Sequence, residues 1–478
     1  MRLRSDLLPW FLISLWLFSA FFWIERESLW IDEAGSAVKT LPESPLGVWG
    51  ELWAEKNSNL HLPAYHYYLW GFARLFGRSE YALRLSNLPW MLIGFVLLVL
   101  GAAPKERPSQ ARWLTLFLIT SPFLFYYTNE VRPYAMQFGL ATLAFAGMIR
   151  VLPDPRPSFW AWTMAGGATL LAWTTIYGLA WWLVILLFWL GNARRPKKEV
   201  QEHAITVFLV AGGLSALLFH AWILFKGAKA SPVGETGLTS LSYAFCEWSG
   251  GAGFLPGRSQ LRSGTLPQAK ELGLAGLTAG LTLLLLTVGY AQSRNLPGGR
   301  LFPSAWVFPS FGVLASGFLR KFRLVGRHFT PVAPSFFWFL SLGPQSRPRW
   351  HWTRLSAIFL LGLWVFSNYR LATGTSYRKD DYRGVARYIL EHRAPAEVVW
   401  WAADSAAARF YGVQPVLPLM SSSEDSLQTM PRPTWVVLSK PDIYDGNSSI
   451  RKFLHAQAAE KMASYQAFEI YRCSPKSF

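Results

Sequence analysis

Charged residues are scarce in this chain, and long apolar stretches take their place. Only 15% of its 478 residues are charged and 52% are hydrophobic, whereas soluble domains carry charge on about a quarter of their residues. This composition excludes an ordinary soluble protein. Acidic residues are fewer than basic residues, 28 against 46, which gives a net charge of +18. The basic residues cluster between apolar runs, which indicates membrane topology, and no nucleic-acid motif accompanies them.

Cysteine is almost absent, which excludes a disulfide scaffold. The two cysteines, Cys246 and Cys473, do not have metal-ligand spacing. Both fall on the outer face in the topology described below, so a disulfide between them stays open. A signal-peptide cleavage site is also lacking, because the residues that follow the first apolar run, 23–26, are large or charged. We therefore expect that run to remain as an uncleaved first helix.

Apolar stretches long enough to cross a membrane recur through the first three quarters of the chain. They lie near 7–24, 82–103, 113–128, 134–152, 158–175, 176–192, 204–225, 271–292, 301–319, 328–343 and 354–372. With the N-terminus in the cytoplasm, every short loop predicted to face the cytoplasm contains Lys or Arg. The pattern predicts a polytopic α-helical protein of the inner (plasma) membrane, with about eleven transmembrane helices and the C-terminus outside.

Long segments between and after these runs fall on the outer side. The transmembrane domain, residues 1–375, contains outer loops at 25–81 and 226–270. Residues 376–478 change in composition and are predicted to form a small extracytoplasmic α/β domain. A helix is predicted to begin at the acidic pair Asp380-Asp381. Short apolar strands are predicted to begin at Val398 and Trp435. A second helix is predicted over 451–462.

Two adjacent acids, Asp32 and Glu33, follow the first apolar run. Moving a sugar from one oxygen to another needs a base that deprotonates the acceptor hydroxyl. A carboxylate that is held near the membrane surface with little water can act as that base. We predict that Asp32 is the base and that Glu33 holds a metal or positions Asp32. The alternative is a pair of solvated acids at a helix end.

Glu130 and Arg132 lie in a very short outer turn between two predicted spans, at the same membrane level as Asp32. Polar groups confined to a hairpin at membrane depth are typical of functional sites. We expect both residues to belong to a functional site. The alternative is a surface ion pair between the two side chains.

Four further cations, Arg320, Lys321, Arg323 and Arg327, occupy a loop that is predicted to face outward. They oppose the positive-inside bias, so we predict that they bind an anion such as a lipid phosphate. If one span is miscounted, the loop faces inward and this argument fails.

The first outer loop contains an aromatic, amphipathic stretch over 61–72, which is predicted to lie as a helix in the membrane interface. An aromatic belt is the alternative. We expect His61, Tyr65 and His66 to belong to a substrate-binding loop. The two histidines, with Asp32 or Glu33, leave a divalent metal open as a cofactor, although a loop histidine is more often plain polar surface.

Four segments, in order, resemble the GT-C superfamily of polytopic, lipid-phosphosugar-dependent glycosyltransferases. They are similar to its bacterial branch of protein O-mannosyltransferase-like and aminoarabinose-transferase-like enzymes. The segments are Asp32-Glu33-Ala34, the His-x-Pro-x-Tyr stretch from His61 followed by Glu80–Leu85, Glu130–Ala135, and Arg327–Pro331. Two departures are His61-Leu62-Pro63 in place of the frequent His-Pro-Pro, and Arg327-His328 in place of Arg-Tyr. The resemblance implies that Asp32 is the catalytic base, that Glu130 assists it, and that Arg132 and Arg327 hold the carrier phosphate.

The function expected from these features is that of a cell-envelope glycosyltransferase. It would transfer a hexosyl or pentosyl group from a polyprenyl-phosphate donor to a hydroxyl of a lipid, glycan or protein on the extracytoplasmic side, with inversion. One alternative is a transporter or flippase of lipid-linked sugars, which predicts ionisable residues buried along several spans. Another is an inactive scaffold of the same fold. The polar residues gather at one face of the membrane, which favours the enzyme.

Overall fold

The computed structural model describes residues 7–24, 27–102, 107–152, 159–192, 200–227, 235–257, 267–296, 304–320, 323–345, 351–395, 397–419 and 434–473. Helices dominate the first 375 residues. They are α1 Leu7–Trp23, α2 Ile31–Ala37, α3 Pro45–Glu55, α4 Pro63–Phe76, α5 Glu80–Leu85, α6 Asn87–Ala102, α7 Pro108–Thr120, α8 Pro122–Thr128, α9 Tyr134–Val151, α10 Phe159–Thr174, α11 Gly178–Asn192, α12 Val200–Phe225, α13 Leu238–Trp248, α14 Ala269–Ser293, α15 Ser304–Arg320, α16 Ala333–Leu342 and α17 His351–Thr373.

Within the described ranges, five helical stretches are long and apolar enough to cross a membrane. They are Glu80–Gly101, Tyr134–Val151, Val200–Phe225, Ala269–Ser293 and His351–Thr373. Three shorter apolar helices, Leu7–Trp23, Gly178–Gly191 and Val307–Leu319, coincide with other predicted spans. The helical, membrane-spanning character predicted from the sequence is therefore confirmed, and the number of about eleven spans stays a prediction.

Two predicted spans are not continuous α-helices. In the stretch 113–128, α7 ends before Ser121, whose extended backbone and side chain cap the start of α8. In the stretch 328–343, a 3-10 helix over Gly326–Val332 leads into α16. All ten residues of α16 are buried, and ten residues extend only about 15 Å. That is half of a hydrocarbon core of about 30 Å, so α16 packs inside the bundle.

The predicted first outer loop is folded into helices rather than extended over the surface. The predicted interfacial helix is α4, and α3, α5 and the 3-10 helix Val38–Thr40 pack against it. The hydroxyls of Ser44 and Ser79 cap α3 and α5 by accepting hydrogen bonds from backbone N–H groups. Trp70 Nε1 donates a 2.8 Å hydrogen bond to the carbonyl of Pro42, so α4 is held against the start of α3.

The second outer loop contributes α13 and a 3-10 helix over Gly251–Phe254. Gly250 lies between them at φ +86°, and a Cβ at this position would collide with the indole of Trp364. In the described structure Cys246 is half-buried on α13, Cys473 is buried in the C-terminal sheet, and no disulfide joins them. The disulfide that the sequence left open is therefore not formed.

The C-terminal region contains a five-stranded sheet with strand order β2-β1-β3-β5-β4. Its elements are α18 Tyr382–His392, β1 Val398–Ala402, α19 Ser405–Phe410, β2 Val416–Pro418, β3 Thr434–Ser439, α20 Pro441–Tyr444, α21 Ser449–Ala456, β4 Glu460–Tyr465 and β5 Phe468–Cys473. Strands β2, β1 and β3 are parallel, whereas β5 is antiparallel to both β3 and β4. The α/β character, the acid-capped α18 and both predicted strands are confirmed.

The helix predicted over 451–462 is wrong in its second half. Helix α21 ends at Ala456, and Ala458 adopts φ +48°, which reverses the chain. Residues from Glu460 onward form β4, which pairs with β5 through a tight turn. Cross-strand pairing here overrides the local helical pattern.

A polar network joins this sheet region to the first outer loop. The Tyr411 hydroxyl, at the end of α19, donates a 2.6 Å hydrogen bond to Glu80 and accepts a 2.8 Å bond from the backbone N–H of Leu29. Arg383 donates to the other oxygen of Glu80 at 2.6 Å, and its backbone N–H donates to the Ser28 hydroxyl. The C-terminal region is thereby attached directly beside α2.

We expect Tyr411→Phe to lower the free energy of unfolding by about 1–3 kcal/mol, because it leaves the Leu29 N–H and a Glu80 oxygen without this partner. Unfolding in detergent, followed by circular dichroism, measures the change. Tyr369→Phe, at an exposed position on α17, is the control. Equal losses in the two variants would show that the hydroxyl of Tyr411 does not join the two regions.

Candidate active site

The buried carboxylate of Glu33 organises the segment that carries the paired acids. Arg84 binds it with two nearly parallel hydrogen bonds, Nε to Oε1 at 3.1 Å and Nη2 to Oε2 at 2.9 Å. The backbone N–H of Val131 donates to Oε1 at 2.9 Å, and that of Trp30 donates to Oε2 at 3.3 Å. The side chains of Glu33 and Arg84 are fully buried. Helix α2 is therefore fixed against α5 and against the hairpin that precedes α9.

Lys379 connects the C-terminal region to the same carboxylate. Its Nζ lies 3.3 Å from the Glu33 carboxylate and donates a 2.7 Å hydrogen bond to the carbonyl of Asn129. Its backbone N–H donates to the carboxylate of Glu27. Burial by itself raises the pKa of the Glu33 carboxyl, but Arg84 and Lys379 outweigh burial and hold this pKa below its ordinary value of 4.5.

This geometry suits Glu33 to positioning rather than to proton transfer. Both carboxylate oxygens already accept hydrogen bonds, and the side chain has no exposed surface. A metal would have to displace two cations to reach it. Of the two roles predicted for Glu33, the structure favours positioning of Asp32.

Asp32, the residue before Glu33 on α2, is partly exposed rather than buried. Its side chain is 30% exposed, and its Oδ2 lies 3.0 Å from Nη1 of Arg327. Arg327 belongs to the 3-10 helix before α16 and is itself partly exposed. The neighbouring Gly326 N–H donates a 2.7 Å hydrogen bond to the buried Glu247 carboxylate, which fixes the backbone at this point. An accessible carboxylate therefore lies directly beside an accessible guanidinium.

Arg132, in the hairpin that precedes α9, forms hydrogen bonds that hold α2 in place. Its Nη1 donates to the carbonyl oxygen of Asp32 at 3.1 Å, to the Ser36 hydroxyl at 3.1 Å and to the Asn59 amide oxygen at 3.2 Å. Glu130 is fully buried on the same hairpin. Its carbonyl oxygen accepts a 2.6 Å hydrogen bond from Asn87. The structure thus brings Arg132 to the backbone of Asp32, and it encloses Glu130 rather than exposing it to a substrate. The predicted roles of Arg132 in phosphate binding and of Glu130 in catalysis stay predictions.

The structure describes the side chains of only two residues of the predicted basic cluster. Of its four members, Arg327 pairs with Asp32, and Arg323 is exposed. The side chain of Arg320 and the whole of Lys321 lie outside the described residues. Their predicted role in phosphate binding stays a prediction.

The residues predicted for a substrate loop have two different surroundings: His61 contacts α12, whereas Tyr65 and His66 are buried with their rings in contact. Nδ1 of His61 lies 3.0 Å from Nδ1 of His220 on α12. Tyr65 and His66 are buried on α4. Burial, with a further contribution from Arg132 and Lys39, lowers the pKa of His66 well below its ordinary value, so the imidazole is neutral. Burial also raises the pKa of Tyr65 well above its ordinary value.

These residues do not fit a metal site. Within the part of the chain that the structure describes, no three His, Cys, Asp or Glu side chains come together in a group that could hold an ion. His61 is directed to His220, and Glu33 is occupied by Arg84 and Lys379. No step of the chemistry is therefore assigned to a metal.

Sequence reasoning missed three residues that shape the site. Lys379 and Tyr411 carry no local signal, because their partners lie more than 300 residues away. Arg84 has a signal that could have identified it, since a cation at the start of an apolar run requires a buried partner.

Two cavities adjoin this region. The first, of about 670 Å³, lies between the helical region and the C-terminal sheet and includes Trp30 and Lys379 in its wall. The second, of about 640 Å³, lies between α3 and α19 and includes Glu51, Glu55 and Arg409. Asp32 and Arg327 line neither, although Trp30 in the first wall is two residues from Asp32.

No family model matches the sequence, and no curated protein matches it. The structure is similar to the crystal structure of ArnT from Cupriavidus metallidurans in the apo state, with a TM-score of 0.62 and 12% identity over 97% of each chain. ArnT bound to undecaprenyl phosphate gives a TM-score of 0.60 and 11% identity over 98% of each chain. Arabinofuranosyltransferase AftD from Mycobacteria gives 0.51 and 13% identity over 98% of this chain and 40% of that one.

At such identities the similarity establishes the fold alone. Together with the apolar helices, it confirms the predicted GT-C-like architecture of a multi-pass membrane protein.

We expect Glu33→Gln to lower the free energy of unfolding by about 3–5 kcal/mol, because an amide cannot balance two buried cations. Asp32→Asn removes a partly exposed ion pair and should change it by less than about 1 kcal/mol. Since the folded-state pKa of Glu33 is lowered, its contribution is present above pH 4.5 and is lost as the pH falls toward that lowered pKa.

Unfolding in detergent at pH 7 and at pH 4 measures both effects. A stability loss in Asp32→Asn as large as that in Glu33→Gln would contradict the distinction between the two acids.

Proposed function

We propose that this protein is a membrane glycosyltransferase that moves a sugar from a polyprenyl-phosphate donor to an acceptor hydroxyl. The proposal rests on one observation. The accessible carboxylate of Asp32, on the firmly held helix α2, pairs with the guanidinium of Arg327. The GT-C-like fold supports the class of reaction, and the solved complex of ArnT with undecaprenyl phosphate supports a polyprenyl-phosphate donor.

Arg327 would bind the donor phosphate. A guanidinium binds phosphate oxygens through charge-assisted, often bidentate hydrogen bonds. A phosphate near Asp32 would draw Arg327 away from the carboxylate. Asp32 would then lose the counter-charge that favours its ionised form, and its affinity for a proton would rise. Donor binding and activation of the base are thereby coupled through one side chain.

Asp32 would act as the base in the transfer step. The acceptor O–H proton moves to the carboxylate while the acceptor oxygen forms a bond to the anomeric carbon. The bond from that carbon to the phosphate oxygen breaks on the opposite face, so the configuration inverts. The phosphate leaves as an anion that Arg327 neutralises, and no separate general acid is required.

The membrane side follows from the charge bias of the sequence. With Lys and Arg concentrated in the inner loops, the active-site end and residues 376–478 would lie outside the cytoplasm, and the N-terminus inside. The donor sugar would be a hexose or a pentose, and the protein would act in the inner membrane on a lipid, glycan or protein of the envelope.

The distribution of buried charge favours transfer over transport. Among the described residues of the five candidate spans, the buried ionisable side chains are Arg84 and His220. Arg84 is used to bind Glu33. A transport path would require ionisable groups at several depths. An inactive scaffold would have no need for an accessible carboxylate beside a guanidinium.

Sugar transfer in isolated membranes tests the proposal. We expect the wild type to transfer sugar from at least one member of a panel of polyprenyl-phosphate sugars. We expect Asp32→Asn to lose about 10²- to 10⁴-fold in rate, the usual contribution of a general base. Glu43→Gln, an exposed acid in the same loop, is the matched control. Equal transfer by Asp32→Asn and the wild type would remove Asp32 as the base.

A further inference from the structure

We propose that Glu247 and Trp248, the last two residues of α13, are positioning residues for donor binding, because they hold the backbone of Gly326 directly before Arg327. The inference rests on the function proposed above, in which the Arg327 guanidinium binds the donor phosphate. Both residues act through Arg327. The second outer loop, which contains α13, thereby takes part in donor binding without contacting the donor.

Both polar groups of the Gly326 backbone are bound by α13. The N–H donates a 2.7 Å hydrogen bond to Oε2 of Glu247, and the carbonyl accepts a 2.8 Å hydrogen bond from Nε1 of Trp248. That carbonyl belongs to the peptide bond that joins Gly326 to Arg327. Glu247 and Trp248 are each only 6% exposed, and a hydrogen bond away from water is electrostatically stronger than one in water. Two adjacent side chains therefore fix the peptide unit before Arg327.

Glycine at position 326 permits this close approach. A Cβ at this position would lie 2.7 Å from Oε2 of Glu247 and 3.1 Å from Cδ1 of Trp248. Atoms in ordinary van der Waals contact lie about 3.5–4.0 Å apart. Even an alanine would therefore push Glu247 or the backbone out of place, so α13 and the segment before Arg327 fit together only with glycine here.

The end of α13 is itself held by three neighbouring helices. The indole of Trp248 packs edge-on against Phe336 of α16, with 4.9 Å between ring centroids, and contacts Phe123 of α8 at 5.2 Å. Nε1 of Trp364, on α17, donates a 2.6 Å hydrogen bond to the carbonyl of Ser249, the residue after α13. Side chains that are locked by packing in this way can hold a functional group to within about 0.5 Å.

The chain before Gly326 has a further contact with the second outer loop. The backbone N–H of Leu324 donates a 3.3 Å hydrogen bond to the hydroxyl of Thr236, two residues before α13. Leu324 is fully buried. The segment 324–326 is therefore attached at both of its ends to the loop that contains α13, whereas the side chain of Arg327, which follows, is 21% exposed.

This arrangement suits a guanidinium that must exchange partners. In the proposed reaction Arg327 leaves the Asp32 carboxylate, 3.0 Å away, for the donor phosphate. Because the backbone is fixed and the tip is accessible, this exchange needs only a rotation of the side chain. A shift of the backbone would change which groups the guanidinium can reach, and a misplacement of about 1 Å can cost on the order of 10²-fold in rate. Glu247 and Trp248 thus set the reach of Arg327.

Binding of undecaprenyl phosphate to purified variants in nanodiscs tests the inference. Glu247→Ala and Trp248→Phe each remove one of the two hydrogen bonds to the backbone, and the phenyl ring preserves much of the packing of the indole. Glu235→Ala, at an exposed acid just before α13, is the matched control. Glu247→Ala is also made in an Arg327→Gln background, because a residue that acts through Arg327 loses its effect once the guanidinium is gone.

We expect Glu247→Ala to weaken binding about tenfold and Trp248→Phe about threefold, the sizes expected for a lost hydrogen bond to a charged and to a neutral group. Glu235→Ala should bind as the wild type does. In the Arg327→Gln background, Glu247→Ala should change the affinity by less than about twofold. Weakening of the same size in both backgrounds would show a general structural effect and overturn the inference, as would unchanged binding by Glu247→Ala. If Arg327→Gln alone binds as tightly as the wild type, the phosphate-binding role of Arg327 in the proposed function fails, and this inference fails with it.

Discussion

The buried Glu33 carboxylate connects four parts of the chain that are far apart in sequence. Arg84 reaches it from α5, Val131 from the hairpin before α9, and Lys379 from the C-terminal region. A buried charge of this kind is tolerated because its oxygens are satisfied, and removing the carboxylate leaves two buried cations unbalanced. Because helix α2 is fixed in this way, the neighbouring Asp32 is held with its carboxylate partly exposed. One acid holds the structure while the adjacent acid stays accessible.

This arrangement places the C-terminal region beside the candidate active site. It contributes Lys379 to the Glu33 network and Tyr411 to the Glu80 network, and helix α19 packs beside α2. The same region lines, with β4 and the start of β5, the cavity of about 670 Å³. Arg327 completes the account, because a single guanidinium can pair with Asp32 in one state and with a phosphate in another.

Much of the fold is readable from the sequence, because apolar runs and alternating strands report burial locally. The membrane helices and the strands at Val398 and Trp435 follow from such patterns. The GT-C-like fold was instead expected from the resemblance of four short segments to a known family. The short turn that carries Arg132 was also expected at the membrane level of Asp32, but the contacts of Arg132 and Arg327 with Asp32 were not anticipated. The Lys379–Glu33 contact was not anticipated either, because its partners are 346 residues apart and neither lies in a periodic pattern. The strand β4 was missed because its pairing with β5, rather than its own sequence, decides its conformation.

Binding of undecaprenyl phosphate without a sugar tests the central role of Arg327 most directly. Purified wild type, Arg327→Gln and Asp32→Asn in nanodiscs would be titrated with this lipid, with Arg387→Gln, an exposed cation on α18, as the control. The account predicts that Arg327→Gln weakens binding by about tenfold or more, the size expected for a lost charge-assisted contact. Asp32→Asn should bind at least as tightly as the wild type, because the competing carboxylate is gone. Equal affinity of Arg327→Gln and the wild type would contradict the coupling of donor and base.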